Sequence, residues 1–403
     1  MQIIASDWGS RRPSKMRPKE ETSALRFPEF HEKWDVRSLD QLMTKIGDGL
    51  HSTPVYDDLG EYFFINGNNL VDGRIVITES TKRVNRTEYN KYKIDLNDKS
   101  ILLSINGTIG NLALYNRERV VLGKSACYLN VGSATDRIFV FNLLQTAGVK
   151  NRFFSELTGS TIKNLSLSTI RNCPVHIPML PEQQQIAAFL LAVDEKIRQL
   201  LNKKELLLKY KKGVMRQIFD QKIHFKDDNG NDFPDWRTVS LGEVLDYEQP
   251  TPYLVSDTDY SNDYLTPVLT AGKSFVLGYT SETHGIFEKD LPVIIFDDFT
   301  TASKFVDFPF KAKSSAMKIL KPRPGTNLRF IFEAMRHLRF AVGGHERHWI
   351  SKFSDLTIDL PEYEEQQKIA TFITVLDKKI ALVNRQRERT KKFKEGLLQQ
   401  MFV

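Results

Sequence analysis

The sequence predicts an α+β protein built by internal duplication: two α/β globular regions, each followed by one long coiled-coil helix. Three observations carry this. The stretch from Pro178 to Phe219 returns within Leu360 to Phe402, with Pro178 on Pro361, at a shift of 183 positions and without a gap. The words before it return as well: Arg26-Phe27-Pro28, Trp34 and Ser38-Leu39 have counterparts in Phe233-Pro234-Asp235-Trp236 and Ser240-Leu241. Between these landmarks, short apolar runs alternate with Gly, Asn and Asp, the mark of strands and turns rather than of helices.

At 403 residues the chain suits two or three domains, and 26 Phe and 13 Tyr supply material for real cores. A formal charge of +7 and a pI near 9.1 favour an anionic partner, most often nucleic acid. Two separated cysteines, Cys127 and Cys173, give no disulfide framework or thiolate metal site, and a cytoplasmic setting fits. No apolar run reaches the length of a membrane span.

In chain order, residues 1–24 read as a flexible tail, rich in Arg, Lys, Ser and Pro. The first globular domain covers 25–177, with strands expected at Glu61–Ile65, Arg74–Thr78, Ser100–Ile105, Leu112–Tyr115, Val120–Leu122 and Cys127–Val131. A helical stretch follows over Arg137–Leu157. The central long helix spans 178–220, because nothing but Gly213 interrupts it after Pro181. The second domain covers 221–357, with strands at Pro267–Thr270, Val276–Tyr279, Leu291–Phe296, Phe305–Phe308 and Ala316–Leu320, then a helix at Asn327–Phe340. The C-terminal long helix spans 358–403.

Both long helices carry a seam of alternating spacings of four and three, from Ile186 to Ile218 and from Ile369 to Met401. Both break it at matched seats, Lys204 with Arg387 and Lys211 with Lys394. Such breaks let long side chains reach solvent past a wide seam, fix register, or open the pair where something else docks.

Catalytic constellations are missing. Thr270-Ala271-Gly272-Lys273-Ser274 ends like a phosphate loop, but Pro267 stands where its first Gly belongs. His337, His345 and His348 lack a Cys or paired carboxylate to complete a metal site. Asp297-Asp298 closes an apolar run and could hold Mg²⁺ in a nuclease, yet no Glu-x-Lys partner lies near, and turn capping is the commoner role. What remains is recognition by loops. Ser104, Asn106, Thr108, Lys124, Ser160, Thr161 and Lys163 in the first domain are of the types that contact DNA. So are Lys273, Thr300, Thr301, Ser303, Lys304, Lys313, Ser314, His345, Arg347 and His348 in the second. Gly admits close backbone approach, Ser, Thr and Lys bind phosphate, and Asn and Arg read base edges.

From about residue 25 to 403 the chain resembles the specificity subunit of a Type I restriction–modification enzyme. The resemblance rests on LPEQQQIAAFL at Leu180–Leu190 and LPEYEEQQKIATFI at Leu360–Ile373 in their duplicated frame. GTIG at Gly107–Gly110, GSTIKNLS at Gly159–Ser166, TPVLTAGKSFVLGY at Thr266–Tyr279, IIFDDFTTASKF at Ile294–Phe305, KSSAMKIL at Lys313–Leu320 and HWISKFSDLTIDLP at His348–Pro361 complete it. The resemblance implies two target recognition domains, each reading half of a split sequence in double-stranded DNA. The two helices would pack antiparallel as a spacer about a pseudo-two-fold axis. It implies no chemistry and no cofactor in this chain. Two modification subunits would bring S-adenosylmethionine and adenine methylation, and two restriction subunits ATP and Mg. Equivalent docking surfaces, one per repeat, would include Gln183, Gln184, Phe189, Gln366, Gln367 and Phe372. A helix of about 38 residues spans roughly 57 Å, the rise of roughly 17 base pairs of B-DNA. Two other readings stand beside this one: a self-contained metal-dependent nuclease using Asp297 and Asp298, and a coiled-coil scaffold that binds no DNA.

Overall fold

The computed structural model describes residues 24–159, 163–270, 274–338 and 349–402. Two compact units emerge: residues 201–385 form one, and 1–200 with 386–403 the other. The division cuts through both long helices, Leu180–Phe219 and Tyr363–Met401, of 40 and 39 residues. Each unit thus holds one globular domain with part of each helix. Gly213 and Gly396, the matched glycines, face open space and leave the helices unbroken; each costs only about 1 kcal/mol relative to Ala.

In the first unit, a four-stranded antiparallel sheet runs in the order Met43–Asp48, Ala126–Val131, Ser100–Ser104, Leu112–Leu114. All five residues of Ser100–Ser104 are buried, which is why this strand reads as a continuous apolar run. A smaller sheet has the order Arg83–Val84, Tyr62–Ile65, Val120–Leu122, and its last pair is parallel. The entry strand Asp35–Ser38 pairs with Pro174–Ile177. The expected helical stretch is two helices, Arg137–Leu143 and Ala147–Ser155. Thr146 separates them by capping the second with its side chain.

The second unit repeats these three sheets, without a counterpart among the described residues to the short hairpin Leu70–Val71 with Arg74–Ile75 of the first. Its four-stranded sheet runs Leu245–Glu248, Met317–Pro322, Val293–Asp297, Ser303–Val306. Its three-stranded sheet runs Val276–Thr280, Thr266–Leu269, Lys311–Ala312, again with a parallel last pair. Arg237–Ser240 pairs with Thr357–Leu360. The helix Leu328–His337 is capped by Asn327, whose carboxamide oxygen accepts from Arg329 N and Phe330 N at 3.0 and 3.2 Å. The two variable regions therefore share one topology although their sequences differ.

An aromatic cluster docks each domain on the helices. Phe402 packs with Trp34 and Phe139, at centroid separations of 6.3 and 5.2 Å. Phe219 packs with Trp236 and Phe330 at 6.4 and 5.5 Å. Full burial of such a ring contributes about 1.5–3 kcal/mol, and less at Phe219 and Trp236, which are half-buried. Each indole N–H also finds a buried carboxylate: Trp34 donates to Glu182 at 3.3 Å, and Trp236 to Glu365 at 2.9 Å. This accounts for the repeated Trp and the repeated Glu-Gln in the sequence.

Candidate nucleic-acid interface

Three loops meet at one end of the first domain. The strand Tyr62–Ile65 runs into 66–69, Ser100–Ser104 into 105–111, and Val120–Leu122 into 123–125. They are bonded to one another. Gly67 N donates to Ser125 Oγ at 2.8 Å, Ser125 Oγ donates to Asn66 Oδ1 at 2.9 Å, and Ile105 N donates to Ser125 O at 2.9 Å. Ser104 and Thr108 hydroxyls lie 3.1 Å apart. A fourth segment joins them, since Asn106 bridges to Asn164 and Leu165 N donates to Ile105 O at 2.8 Å. Asn106, Thr108, Lys124 and Lys163 are thereby brought together. Thr108, Lys124 and Lys163 are exposed and Asn106 is half-buried. Ser104, expected among the contacting residues, is fully buried and shapes the loop instead of presenting a surface.

The counterpart loops in the second domain carry the rest of the expected set. Thr300 and Thr301 follow Val293–Asp297, Ser303 and Lys304 open the next strand, and Lys313 and Ser314 follow Lys311–Ala312. Asp297 occupies the place of Ser104: each ends the central strand, opposite the first residue of its neighbour, Met317 or Ala126. Each also ties the loop that follows. Asp297 Oδ1 accepts from Phe299 N and Thr300 N at 2.9 and 2.8 Å, an Asx turn. Thr300 and Lys304 are exposed, while Thr301, Ser303, Lys313 and Ser314 are half-buried. Ser160, Thr161, Lys273, His345, Arg347 and His348 lie outside the described residues.

The acidic pair is not arranged as a nuclease centre. Asp298 is buried, accepts from Trp349 N at 2.9 Å, and stands 3.4 Å from the equally buried Lys318 ammonium. Among the described residues, no three His, Cys, Asp or Glu side chains gather as metal ligands, and no helix is long and apolar enough to cross a membrane. Burial pushes the Cys173 thiol up to about 11, and raises Cys127 further, so both are inert core residues.

On the helices, the expected docking residues divide. Gln183 and Gln366 are buried and fully used within their own units. Gln183 accepts from Asp136 N at 3.0 Å and donates to Pro178 O at 2.8 Å. Gln366 accepts from Asn327 N at 2.8 Å and donates to Pro361 O at 2.9 Å. These two side chains clamp the domain helices to the long helices and have no face left for a partner, which corrects the expectation. Gln184 and Gln367 are exposed. Phe189 and Phe372 stand edge-on against Phe27 and Phe225 at 6.1 and 6.0 Å, with Phe189 the more exposed of the two.

The seam breaks hold the helices together. In the second unit, Lys204 donates to Asn384 Oδ1 at 2.9 Å and Lys211 to Asp377 at 2.7 Å; seven residues up one helix correspond to seven down the other, so the pair is antiparallel. In the first unit, Lys394 donates to Asp194 at 2.8 Å. Arg387 turns to its neighbour Glu388. A groove of about 950 Å³ opens beside Lys211, reaching Arg216, Arg336 and His337. Several of its polar side chains already have partners: Lys211 and Arg336 pair with Glu333 at 3.5 and 3.2 Å, and His337 Nε2 lies 3.5 Å from Asp220. The sequence reading missed the 66–69 loop, although Asn-Gly between a strand and polar residues is a turn signal.

Comparison with known proteins bears on all of this. A family model described as the Type I restriction modification DNA specificity domain matches residues 31–209 and again 234–392. The specificity subunit of the Escherichia coli Type I restriction enzymes EcoR124I/EcoR124II is 49% identical over 153 residues, covering 36% of this chain and 38% of that protein. The MjaVIII specificity subunit of Methanocaldococcus jannaschii is 22% identical over 427 residues, covering 94% and 93%. The crystal structure of a Type I S subunit from M. genitalium superposes with a TM-score of 0.60 at 18% identity, covering 95% of this chain and 99% of that one. With the family model matched once in each repeat, the chain belongs to the Type I restriction–modification DNA specificity family, whose members are non-catalytic specificity subunits.

Proposed function

We propose that this chain reads a bipartite sequence in double-stranded DNA, one part per globular domain, and recruits the subunits that act on it. The observation that carries the reading is the recurrence of one loop cluster. After the matching strand of the same two-sheet fold, each domain carries a loop tied down by a buried Ser or a turn-forming Asp, with an exposed Thr on it and an exposed Lys on a neighbouring loop in the first domain or at the start of the next strand in the second. Exposed lysines suit phosphates, and short polar side chains on rigid loops suit base edges. The net positive charge fits the same partner.

Recruitment falls to the long helices. Repeated surfaces around Gln184 with Phe189, and Gln367 with Phe372, would seat two copies of a methyltransferase subunit, with ATP-driven restriction subunits joining the full complex. S-adenosylmethionine, ATP and Mg then belong to those partners, and the assembly works in the cytoplasm. The test is methylome sequencing of cells carrying this chain with its modification partner. Adenine methylation should fall on a split target, and replacing residues 25–177 by another first domain should change one half only. Methylation that ignored the swap, or changed in both halves, would overturn the assignment.

A further inference from the structure

We infer that Asn68 is a specificity-determining residue that reads an adenine in the half-site of the first domain; the inference rests on the DNA-reading function proposed above. The 66–69 loop is a single 3₁₀ turn, Gly67–Asn69, set between strands. Its other two amides are spent on holding it. Asn66 Oδ1 accepts from Ser125 Oγ at 2.9 Å, while Asn69 accepts from Asn66 N at 2.9 Å and donates to Val76 O at 3.0 Å. Gly67 is wedged where a Cβ would meet Ser104 Oγ at 2.0 Å, so the loop has no room to shift inward. Asn68 alone of the three asparagines is exposed and makes no hydrogen bond with the described residues. Its position is fixed while its carboxamide stays open.

The surroundings suit a base edge. Asn68 and Lys124 each follow or precede by one residue the partners of the 2.8 Å bond from Gly67 N to Ser125 Oγ. Lys124, a cation for phosphate, and Asn68, with its free carboxamide, thus adjoin the two partners of one bond in the chain, and Lys163 adjoins Asn164 of the Asn106–Asn164 bridge. A carboxamide donates and accepts in the pattern that adenine presents at N7 and N6, and no other standard base offers that pair in the major groove. Loop rigidity serves discrimination, because a contact held in place loses more when the wrong base is offered.

The experiment compares Asn68→Ala, Asn68→Asp and Lys124→Ala in the full chain assembled with its modification subunits. DNA binding and methylation are measured on the natural target and on targets changed one base pair at a time. Asn68→Ala should flatten the preference at one A·T pair of the first half-site by about ten- to a hundredfold and leave the second half-site untouched. Asn68→Asp should lose binding to that adenine as well. Lys124→Ala should weaken binding to every target alike and lower the salt dependence by about one charge. If Asn68→Ala keeps every base preference while Lys124→Ala weakens binding, the assignment of Asn68 is overturned and the DNA-reading function stands. If neither variant alters DNA binding, both fall.

Discussion

Lys394 donates to Asp194 at 2.8 Å in the first unit, and the residues at the matched repeat positions, Lys211 and Asp377, meet at 2.7 Å in the second. One copy's lysine faces the other copy's aspartate each time. Two charged breaks in an apolar seam thus specify a register, because sliding either helix by one residue separates lysine from aspartate and leaves part-buried charges alone. The pairs differ in their support. Lys394 and Asp194 have no other ionic partner among the described residues. In the second unit, Arg329 reaches both Asp377 and Glu333. Lys394→Ala should therefore destabilise its unit by about 1–2 kcal/mol, a figure reduced for the solvent that reaches Asp194. Lys211→Ala should cost less although Lys211 makes more bonds. Urea unfolding of both variants checks the order, and a larger loss for Lys211→Ala would contradict it.

Glu182 and Glu365 accept the same indole bond but differ in their cation. Arg26 pairs with Glu182 at 2.7 Å, whereas His224 precedes Phe225, the ring that packs on Phe372 as Phe27 packs on Phe189. Burial accordingly raises the Glu365 carboxyl above its ordinary value, partly offset by the bond from Trp236. Glu182→Gln should cost about 1.5–3 kcal/mol, the worth of hydrogen bonds to a charged group, because Arg26 loses its carboxylate. Glu365→Gln should cost little or stabilise, since an uncharged amide still accepts from Trp236. The sign with pH follows from the raised value: the contribution of Glu365 is complete below its ordinary pKa and is lost as pH rises through the folded one. Wild-type stability should thus fall relative to Glu365→Gln as pH rises from 4 to 7, measured by chemical unfolding at each pH.

The long helices and the duplicated frame were legible because both are local patterns: period, absence of breakers, and identical words at a fixed shift. The matched lysines and aspartates were legible too, but their pairing was not, since it exists only between antiparallel copies. The strands Met43–Asp48 and Leu245–Glu248 escaped notice because their exposed edges are polar, with Gly47 and Asp246 among their residues. The parallel pairing of Tyr62–Ile65 with Val120–Leu122 joins segments more than fifty residues apart and leaves no local mark. Ser104 looked like a contact residue by composition. Its burial comes from the close approach of Gly67, a tertiary fact. Gln183 and Gln366 misled for the same reason: exposed and buried glutamines look alike in a sequence.

Gly67→Ala probes the loop cluster directly. The new Cβ would meet Ser104 Oγ at 2.0 Å and Ser104 Cβ at 2.8 Å, with Ser125 O at 3.1 Å, so the loop must move outward. Overpacking of this kind costs about 1–3 kcal/mol. The variant should melt earlier and lose discrimination in the first half-site while keeping the second. Ser104→Gly in the same chain removes both closest atoms and should recover part of the stability. A Gly67→Ala protein with unchanged melting would show that the loop is not wedged.

Glu282 and Lys311 form the most buried ion pair of the small sheet in the second unit, with Lys311 also donating to His284 O at 2.9 Å. Burial works against the Glu282 charge, but the Lys311 ammonium and the N–H groups of Ser256 and Asp257 overcome it and hold the carboxyl at about 2. Its folded pKa is below the ordinary one. The stability it contributes is therefore present above about pH 4.5 and drains away as pH falls towards 2. Glu282→Gln leaves the Lys311 ammonium buried without a counter-charge and should cost about 3–5 kcal/mol near neutral pH. Lys311→Met in the Glu282→Gln background removes the stranded charge and should return most of that loss. The gap between wild type and Glu282→Gln should narrow steadily from pH 5 to pH 2.5 in urea titrations. A gap that stayed constant across that window would mean that the Glu282 charge is not what holds this corner of the sheet.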